Sequence, residues 1–72
     1  MIGDRIMLNN NLKIIRMREY LMNKREFSKM LDVAEQQYSR YENGQSVPSL
    51  EIAIKISNSL QKNINDIWFI SD

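Results

Sequence analysis

Residues 23–48, NKREFSKMLDVAEQQYSRYENGQSVP, contain two short helical patterns separated by a turn of about three residues. Asn23 can cap the first of these helices, and Glu26, three residues later, completes a capping box. The apolar side chains of this helix form one stripe, which consists of Phe27, Met30 and Leu31. The turn that follows consists of Asp32, Val33 and Ala34. The stretch therefore predicts two helices that pack closely across a tight turn.

The second helix of this stretch is predicted from about Glu35 to Asn43, with Gly44 as its C-terminal cap. Helical periodicity divides its side chains into two faces. One face carries Tyr38, Tyr41 and Glu42, and the other carries Gln36, Ser39, Arg40 and Asn43. The second face has amide, hydroxyl and guanidinium groups, which a helix lying in the major groove of DNA needs to contact base edges. The stretch therefore indicates a helix-turn-helix that binds DNA.

The residues around this motif resemble a known family. Apolar side chains occur where that family's motif has them, and SRYENG at 39–44 and VPSLEIAIKISNSL at 47–60 are similar to its turn and fourth helix; the apolar positions are Phe27, Leu31, Val33, Tyr38 and Tyr41. From about Asn11 to Trp68 the chain resembles the Cro and phage-repressor type of helix-turn-helix protein, the Xre family. The resemblance implies an all-α, five-helix Cro/repressor-like domain that binds double-stranded DNA.

The chain departs from the family pattern at three positions. Ser28 replaces a small Ala in the first motif helix, Asp32 replaces the Gly of the turn, and Lys24 replaces a Gln at the start of the motif. Aspartate tolerates a left-handed backbone better than most residues do, so the turn is still expected. Lysine can still reach a DNA phosphate, so we expect Lys24 to keep that role.

The length of 72 residues, 8.6 kDa, allows one domain over 1–72 with a thin core, in which the motif covers 24–43 and an N-terminal extension covers 1–9. The chain has no cysteine and no histidine, which excludes disulfides, the usual zinc sites and an imidazole base. We therefore expect no enzyme activity and no metal or cofactor. No signal peptide precedes the motif and no apolar run could span a bilayer, so we expect a cytoplasmic protein with no membrane partner.

The formal charge of +1 is divided unevenly along the chain. Residues 1–40 hold eight basic and five acidic side chains, a net charge of +3, whereas residues 41–72 hold two basic and four acidic ones, a net charge of −2. We therefore expect the positively charged surface of the domain to be formed by the first three helices, which include the two helices of the motif.

A first helix is predicted from a cap at Asn10 or Asn11 to about Leu21 or Met22, with apolar surface supplied by Leu12, Ile15, Tyr20 and Leu21. In similar proteins an Arg of this helix pairs with the buried Glu of the ENG turn, which is Glu42 here. The spacing to Lys24 is one residue longer than in the family, so Arg16 and Arg18 both remain candidates for this structural ion pair. An unpaired charge at Glu42 would be destabilising.

A fourth helix is predicted after Pro48, with Ser49 as its cap. Leu50, Ala53, Ile54, Ser57 and Leu60 fall on one side of it. Ile52 and Ile56 widen that face beyond the needs of a small core, so either the core is broad or part of the helix contacts another subunit.

The two ends of the chain carry apolar residues that need a partner surface. After a short turn capped by Asn63, Trp68, Phe69 and Ile70 lie almost at the terminus, and such large side chains are seldom left in water. We expect residues 6–8 to pair with residues 68–70 as a small two-stranded sheet. We also expect a homodimer whose interface includes Ile6, Leu8, Ile56, Trp68 and Ile70.

The expected DNA contacts follow from position and chemistry. Gln36 and Arg40 lie one turn apart and suit adenine and guanine through paired hydrogen bonds. Glu35 can accept a hydrogen bond from cytosine or only favour the helix dipole, and Gln37, at the edge of the face, can contact base or backbone. By family position, the phosphate contacts are expected from Lys24, Ser39, Asn43 and Gln45.

These features predict a sequence-specific regulator of transcription, a dimeric repressor that occludes a promoter at an inverted-repeat operator. The alternative is a protein-interaction module, such as the antitoxin of a toxin-antitoxin pair, in which the same fold holds a protein partner. The two differ in the surface used: DNA needs the polar face of the second motif helix, and a protein partner needs exposed apolar surface elsewhere.

Overall fold

The structure of the chain, a computed structural model, describes residues 7–71. Its elements are β1 (Met7–Asn10), a first helix that begins as α1 (Leu12–Ile14) and continues as a π-helix (Ile15–Tyr20), α2 (Lys24–Met30), α3 (Glu35–Glu42), α4 (Leu50–Leu60), α5 (Ile64–Ile67) and β2 (Trp68–Ser71). Five helices and a small antiparallel sheet made by the two ends confirm the predicted fold. Ile6, expected in the dimer interface, lies outside the described residues.

The sheet joins the two ends of the chain. Leu8 pairs with Ile70 and Asn10 with Trp68. The Asn11 backbone N–H then donates to the Ile67 carbonyl at 2.8 Å, so the strand leads directly into the first helix beside α5. Asn11 occupies the N-cap position of this helix without a capping bond from its side chain, and the Leu12 N–H donates instead to Oδ1 of the preceding Asn10 at 3.0 Å.

The π-helix explains the extra residue between the first helix and the motif. Its hydrogen bonds run from i to i+5, so it takes up one residue more than an α-helical turn. It ends where the Leu21 N–H donates to the Arg16 carbonyl. Leu21 then adopts a left-handed conformation with φ 53° and is 83% exposed. The expectation that Leu21 supplies packing surface is therefore wrong, because the left-handed backbone directs its side chain into solvent.

The core is formed by one cluster of buried side chains: Leu12, Ile15, Phe27, Leu31, Tyr38, Tyr41, Ile56, Leu60 and Ile67. Phe27 lies at its aromatic centre, with edge-to-face contacts to Tyr20 and Tyr38 at ring-centroid distances of 5.3 and 5.5 Å. Met30, expected on the same stripe of α2, is instead exposed. The core thus joins the first helix, α2, α3 and α4 around the motif.

The buried face of α4 differs from the expected one. It consists of Ala53, Ile56, Ser57 and Leu60, whereas Leu50 and Ile54 are exposed. Ser57 can lie in the core because its hydroxyl donates to the Ile54 carbonyl at 2.9 Å. Ile56 is 0% exposed because its side chain is packed entirely within the core of the domain. Its assignment to a dimer interface is therefore wrong.

Within residues 7–71, no helix combines the length and the apolar character that a bilayer-crossing segment requires.

Candidate nucleic-acid interface

Local signals in the sequence set the geometry of the two motif helices. The Glu26 N–H donates to Asn23 Oδ1 at 2.8 Å and the Asn23 N–H donates to Glu26 Oε1 at 3.0 Å, which completes the capping box of α2. Asp32 then has φ 60°, the left-handed conformation that the turn requires. Gly44 has φ 77° just beyond α3, where a side chain would be strained. These positions fix where α3 begins and ends relative to α2.

The two faces of α3 have opposite environments. Tyr38 and Tyr41 are buried in the core, whereas Glu35, Gln36 and Arg40 are exposed. Gln36 and Arg40 therefore present an amide and a guanidinium one turn apart on the accessible side of the helix. Both groups can make paired hydrogen bonds with base edges in a major groove.

Three further candidate residues, Lys24, Ser39 and Gln37, form hydrogen bonds within the domain. Lys24 Nζ donates to Ser39 Oγ at 3.2 Å, which joins the start of α2 to the middle of α3. Gln37 Nε2 donates to Ser46 Oγ at 3.2 Å, which joins α3 to the loop that follows it. The hydrogen bond places Lys24 and Ser39 side by side. Both pairs are only partly buried, so they lie at the edge of the polar face.

The loop after α3 is held by the carbonyl of Arg40. This oxygen accepts from the Gln45 N–H at 2.8 Å and from the Ser46 N–H at 3.3 Å. The side chains of Asn43 and Gln45 remain exposed next to the end of α3. Ser46 could not be predicted as a partner of Gln37, because this contact depends on where the loop passes α3.

A buried ion pair anchors α3 to the first helix. Arg16 Nε and Nη2 donate to the two carboxylate oxygens of Glu42 at 3.0 and 3.1 Å, and Nη1 donates to the Met22 carbonyl at 2.9 Å. The Tyr38 hydroxyl donates to the same carboxylate at 2.5 Å. The Glu42 side chain is 2% exposed, whereas Arg18 is exposed, so Arg16 is the partner of Glu42.

The charges of this group reinforce one another. Burial by itself raises the pKa of the Glu42 carboxyl, but hydrogen bonds from Arg16 and Tyr38 and the positive charges of Arg16 and Lys24 outweigh it, so that pKa lies below its ordinary value. The hydrogen bond with Glu42 raises the pKa of Arg16 in spite of burial. Burial, with the hydrogen bond to Glu42, raises the pKa of the Tyr38 hydroxyl. Glu42 is therefore ionised at neutral pH.

Two cations not singled out in the sequence lie beside the start of α3. Arg25 and Lys29 are exposed one turn apart on α2 and line a shallow hollow together with Glu35. The sequence signal that could have identified them is their four-residue spacing, which places both side chains on one side of the seven-residue helix α2. They extend the positive side of the domain along α2, next to Lys24.

A protein-family model described as helix-turn-helix matches residues 12–67, more than three quarters of the chain. No curated protein matches the chain. The matched region runs from the first helix through α5 and contains the ion pair, the motif and the polar face of α3. The chain therefore belongs to the helix-turn-helix family of the Xre and Cro type, whose members are DNA-binding regulators of transcription and not enzymes.

Proposed function

We propose that the chain binds one specific duplex site as a homodimer and represses transcription by occluding a promoter. The observation that carries this proposal is the exposed polar face of α3, where Gln36 and Arg40 lie one turn apart above a buried aromatic face. In this proposal Glu35, Gln36 and Arg40 contact bases in the major groove. Lys24, Ser39, Asn43 and Gln45 contact phosphates, and Gln37 contacts backbone or base from the edge.

The rigid support behind α3 favours specific over merely electrostatic binding. Base contacts require the helix to be held in one orientation, and the ion pair to Arg16 and the core contacts of Tyr38 supply that rigidity. Exposed cations on α2 add attraction for phosphate. The formal charge of only +1 makes purely nonspecific binding weak, so base contacts must supply much of the affinity.

Alanine substitution at the polar face tests the base contacts. Arg40→Ala and Gln36→Ala should each weaken binding to the selected site by about 1–3 kcal/mol and relax the preference at one base pair. Lys55→Ala is a matched control for charge, because Lys55 is an exposed cation on α4. Equal losses for Arg40→Ala and Lys55→Ala, with base preference unchanged, would remove Arg40 from the base-contacting set.

The salt dependence of binding tests the phosphate contacts. Lys24→Ala should weaken binding to all sequences alike and lower the slope of log affinity against log salt by about one unit. Asn43→Ala should weaken binding without a comparable change in slope, because its amide carries no charge. An unchanged slope for Lys24→Ala would show that this lysine meets no phosphate.

The dimer is proposed to form at the sheet end of the domain. Leu8 and Ile70 are exposed and lie on the same face of the sheet as Trp68. Beside them is an open apolar groove of about 290 Å³, lined by Leu8, Val47, Pro48, Leu50, Ala53, Ile64 and Trp68. A two-stranded sheet is marginally stable by itself, and a second copy would cover both the sheet and the groove.

Ile70→Glu tests this interface, because the side chain is exposed and its loss leaves the core intact. The variant should show a native circular dichroism spectrum, a lower sedimentation mass than the wild type and weaker operator binding. A wild-type protein that sediments as a monomer at micromolar concentration, and binds an inverted repeat no better than a half-site, would contradict the dimer.

The alternative role, a protein-interaction module such as an antitoxin, depends on apolar surface away from α3. The first helix also exposes apolar side chains, at Ile14 and Met17, so a protein partner remains compatible with DNA binding by the same chain.

A further inference from the structure

The side chain of Asn10 joins the sheet to the last turn of α3. Its Nδ2 donates to the Tyr41 carbonyl at 2.9 Å, and its Oδ1 accepts from the Leu12 N–H at 3.0 Å. These two partners fix which way the amide points, because a carbonyl can only accept a hydrogen bond and a backbone N–H can only donate one. Among residues 7–71, no other hydrogen bond connects either strand to α3. The Asn10 amide therefore links the sheet to the helix that carries Arg40.

The sheet holds Asn10 on the face that carries the proposed dimer residues. Asn10 pairs directly with Trp68. Two residues earlier, Leu8 pairs with Ile70. Paired residues of an antiparallel sheet lie on the same face, and so do residues two apart on one strand. Leu8, which is exposed, and Asn10, which contacts α3, are therefore about 7 Å apart along one face of the sheet.

The carbonyl that accepts from Asn10 lies beside the proposed base-contacting face. Tyr41 follows Arg40 in the chain, and its carbonyl also accepts from the Gly44 N–H at 3.1 Å. Carbonyls in the last turn of a helix lack partners within the helix, so hydrogen bonds from outside fix the position of its end. The ion pair at Glu42 ties this end of α3 to the first helix. The hydrogen bond from Asn10 ties the same end to the sheet.

A dimer can occupy both half-sites only when its two copies of α3 have a fixed separation and angle. In the proposed dimer the two helices enter successive major grooves about 34 Å apart. Contacting groups need to lie within about 0.5 Å and 10–20° of their productive geometry. We infer that Asn10 is a positioning residue, which transmits the geometry of the dimer interface to α3 and so sets the half-site spacing that the dimer accepts. This inference rests on the proposed dimeric DNA binding and adds to it the residue that governs spacing.

Two substitutions break the link to α3 and keep the contact with the first helix. In Asn10→Asp, one carboxylate oxygen still accepts from the Leu12 N–H, where a negative charge near the start of a helix is favourable. The other oxygen faces the Tyr41 carbonyl, and two acceptors repel each other. Asn10→Ser adds no charge: its hydroxyl can accept from the Leu12 N–H, but it lacks the amide donor.

Asn11→Asp is the matched control for the added charge. It introduces the same carboxylate one residue later in the chain. The bond that it removes is an exposed one, from Asn11 Nδ2 to the Asp66 carbonyl at 3.1 Å, which does not involve α3. All of these variants should show the circular dichroism spectrum of the wild type.

Duplexes with altered spacing measure the effect on DNA binding. A base pair inserted between the half-sites moves one of them by about 3.4 Å and rotates it about the duplex axis. The wild type and Asn11→Asp should bind the selected inverted repeat roughly tenfold or more tightly than this longer duplex. Asn10→Asp and Asn10→Ser should bind the two duplexes within roughly threefold of each other. All four proteins should bind a single half-site alike and have the same sedimentation mass, because Gln36, Arg40 and the exposed sheet residues are unchanged.

The protein without DNA gives a second measurement. Residual dipolar couplings of the backbone amides report the orientation of α3 relative to the sheet. A single alignment tensor should describe the strands and α3 together in the wild type and in Asn11→Asp. The two Asn10 variants should require different tensors for the strands and for α3.

Three results would overturn the inference, and they are distinguishable. A wild type without a preference for the selected spacing would contradict the dimeric binding itself, and the inference would fall with it. A wild type with that preference, and Asn10 variants that keep it, would overturn the role of Asn10 alone. Asn10 variants with a lower sedimentation mass would place Asn10 in the dimer contact and exclude an effect through α3.

Discussion

Replacing Arg16 by methionine removes the cation that neutralises Glu42 and keeps a side chain of similar length. The Glu42 carboxylate is then buried with the Tyr38 hydroxyl as its direct hydrogen-bond donor, because all three of the Arg16 hydrogen bonds in this region are lost. Removing one partner of a buried ion pair typically destabilises a protein by about 3–5 kcal/mol. The structure places this pair at the junction of the first helix and α3, so the loss is expected at the upper part of that range.

The size of the domain makes this change decisive. A core in a chain of about 70 residues rarely supplies more than roughly 3–5 kcal/mol of stability, so Arg16→Met should be largely unfolded at pH 7. The triple variant Arg16→Met/Tyr38→Phe/Glu42→Leu replaces the whole network by apolar groups of similar shape. Such replacements are often neutral or stabilising by about 1–4 kcal/mol, so the triple variant should fold.

The loss of stability caused by Arg16→Met depends on pH and is expected to be smaller in acid. In the wild type the folded-state pKa of Glu42 is lowered, so its contribution to stability is present above the unfolded pKa of about 4.3 and is lost as pH falls through the folded value. In Arg16→Met, burial without the arginine should raise the pKa of Glu42, and the penalty of the buried charge should disappear once the carboxyl is protonated. The difference in stability between the two proteins is therefore largest at neutral pH, and it shrinks as pH falls through the raised pKa of Glu42 in the variant and then through the lowered pKa of Glu42 in the wild type.

Urea unfolding followed by the fluorescence of Trp68, the only tryptophan, measures these free energies at pH 7 and pH 4 for the proteins that fold, and the fluorescence of Arg16→Met without urea gives its unfolded fraction. Two results would refute the reasoning. One is a loss of less than about 1 kcal/mol for Arg16→Met at pH 7, the size of an exposed ion pair. The other is a triple variant as unstable as the single one, which would mean that the charge left behind is not the cause.

Three further changes should alter stability in predictable directions, each measurable by the same urea titration at pH 7. Leu21→Asn should stabilise the domain by about 0.5–1 kcal/mol, because asparagine relieves the left-handed strain and little packing is lost; a destabilised variant would show that the exposed leucine packs in solution. Ser28→Ala should be neutral or stabilising by up to about 1 kcal/mol, since the hydroxyl donates only to the Arg25 carbonyl at 3.0 Å and alanine favours the helix. Asn23→Ala should cost about 1 kcal/mol by removing the side-chain half of the α2 capping box, and no loss would mean that water satisfies the Glu26 N–H equally well.

The parts of the fold that depend on local sequence were predictable. The capping box at Asn23, the left-handed turn at Asp32 and the glycine at 44 each follow from neighbours within four residues. The pairing of the two ends followed from apolar residues that had no other surface to cover. The division of α3 into a buried aromatic face and an exposed polar face also followed from periodicity alone.

Features that depend on tertiary packing were not predictable from the sequence. The choice of Arg16 over Arg18 depends on the π-helix, which changes the angular position of every residue after it. On α4, the apolar side chains of Leu50, Ile54 and Ile56 are compatible with more than one buried face. Only the tertiary structure, in which Ile56 joins the core cluster, shows that Ile56 is buried and Leu50 exposed. The hydrogen bond from Gln37 to Ser46 likewise depends on the path of a loop.

Selection of binding sites from random duplexes by the full chain is the most direct test of specific, dimeric DNA recognition. We expect an inverted repeat whose half-site centres lie about 34 Å apart, roughly one helical turn, because two copies of α3 would then enter successive major grooves on one side of the duplex. Arg40→Ala in the same selection should lose the preference at one position of each half-site. Recovery of unenriched sequence, or of single half-sites without a fixed spacing, would contradict the account.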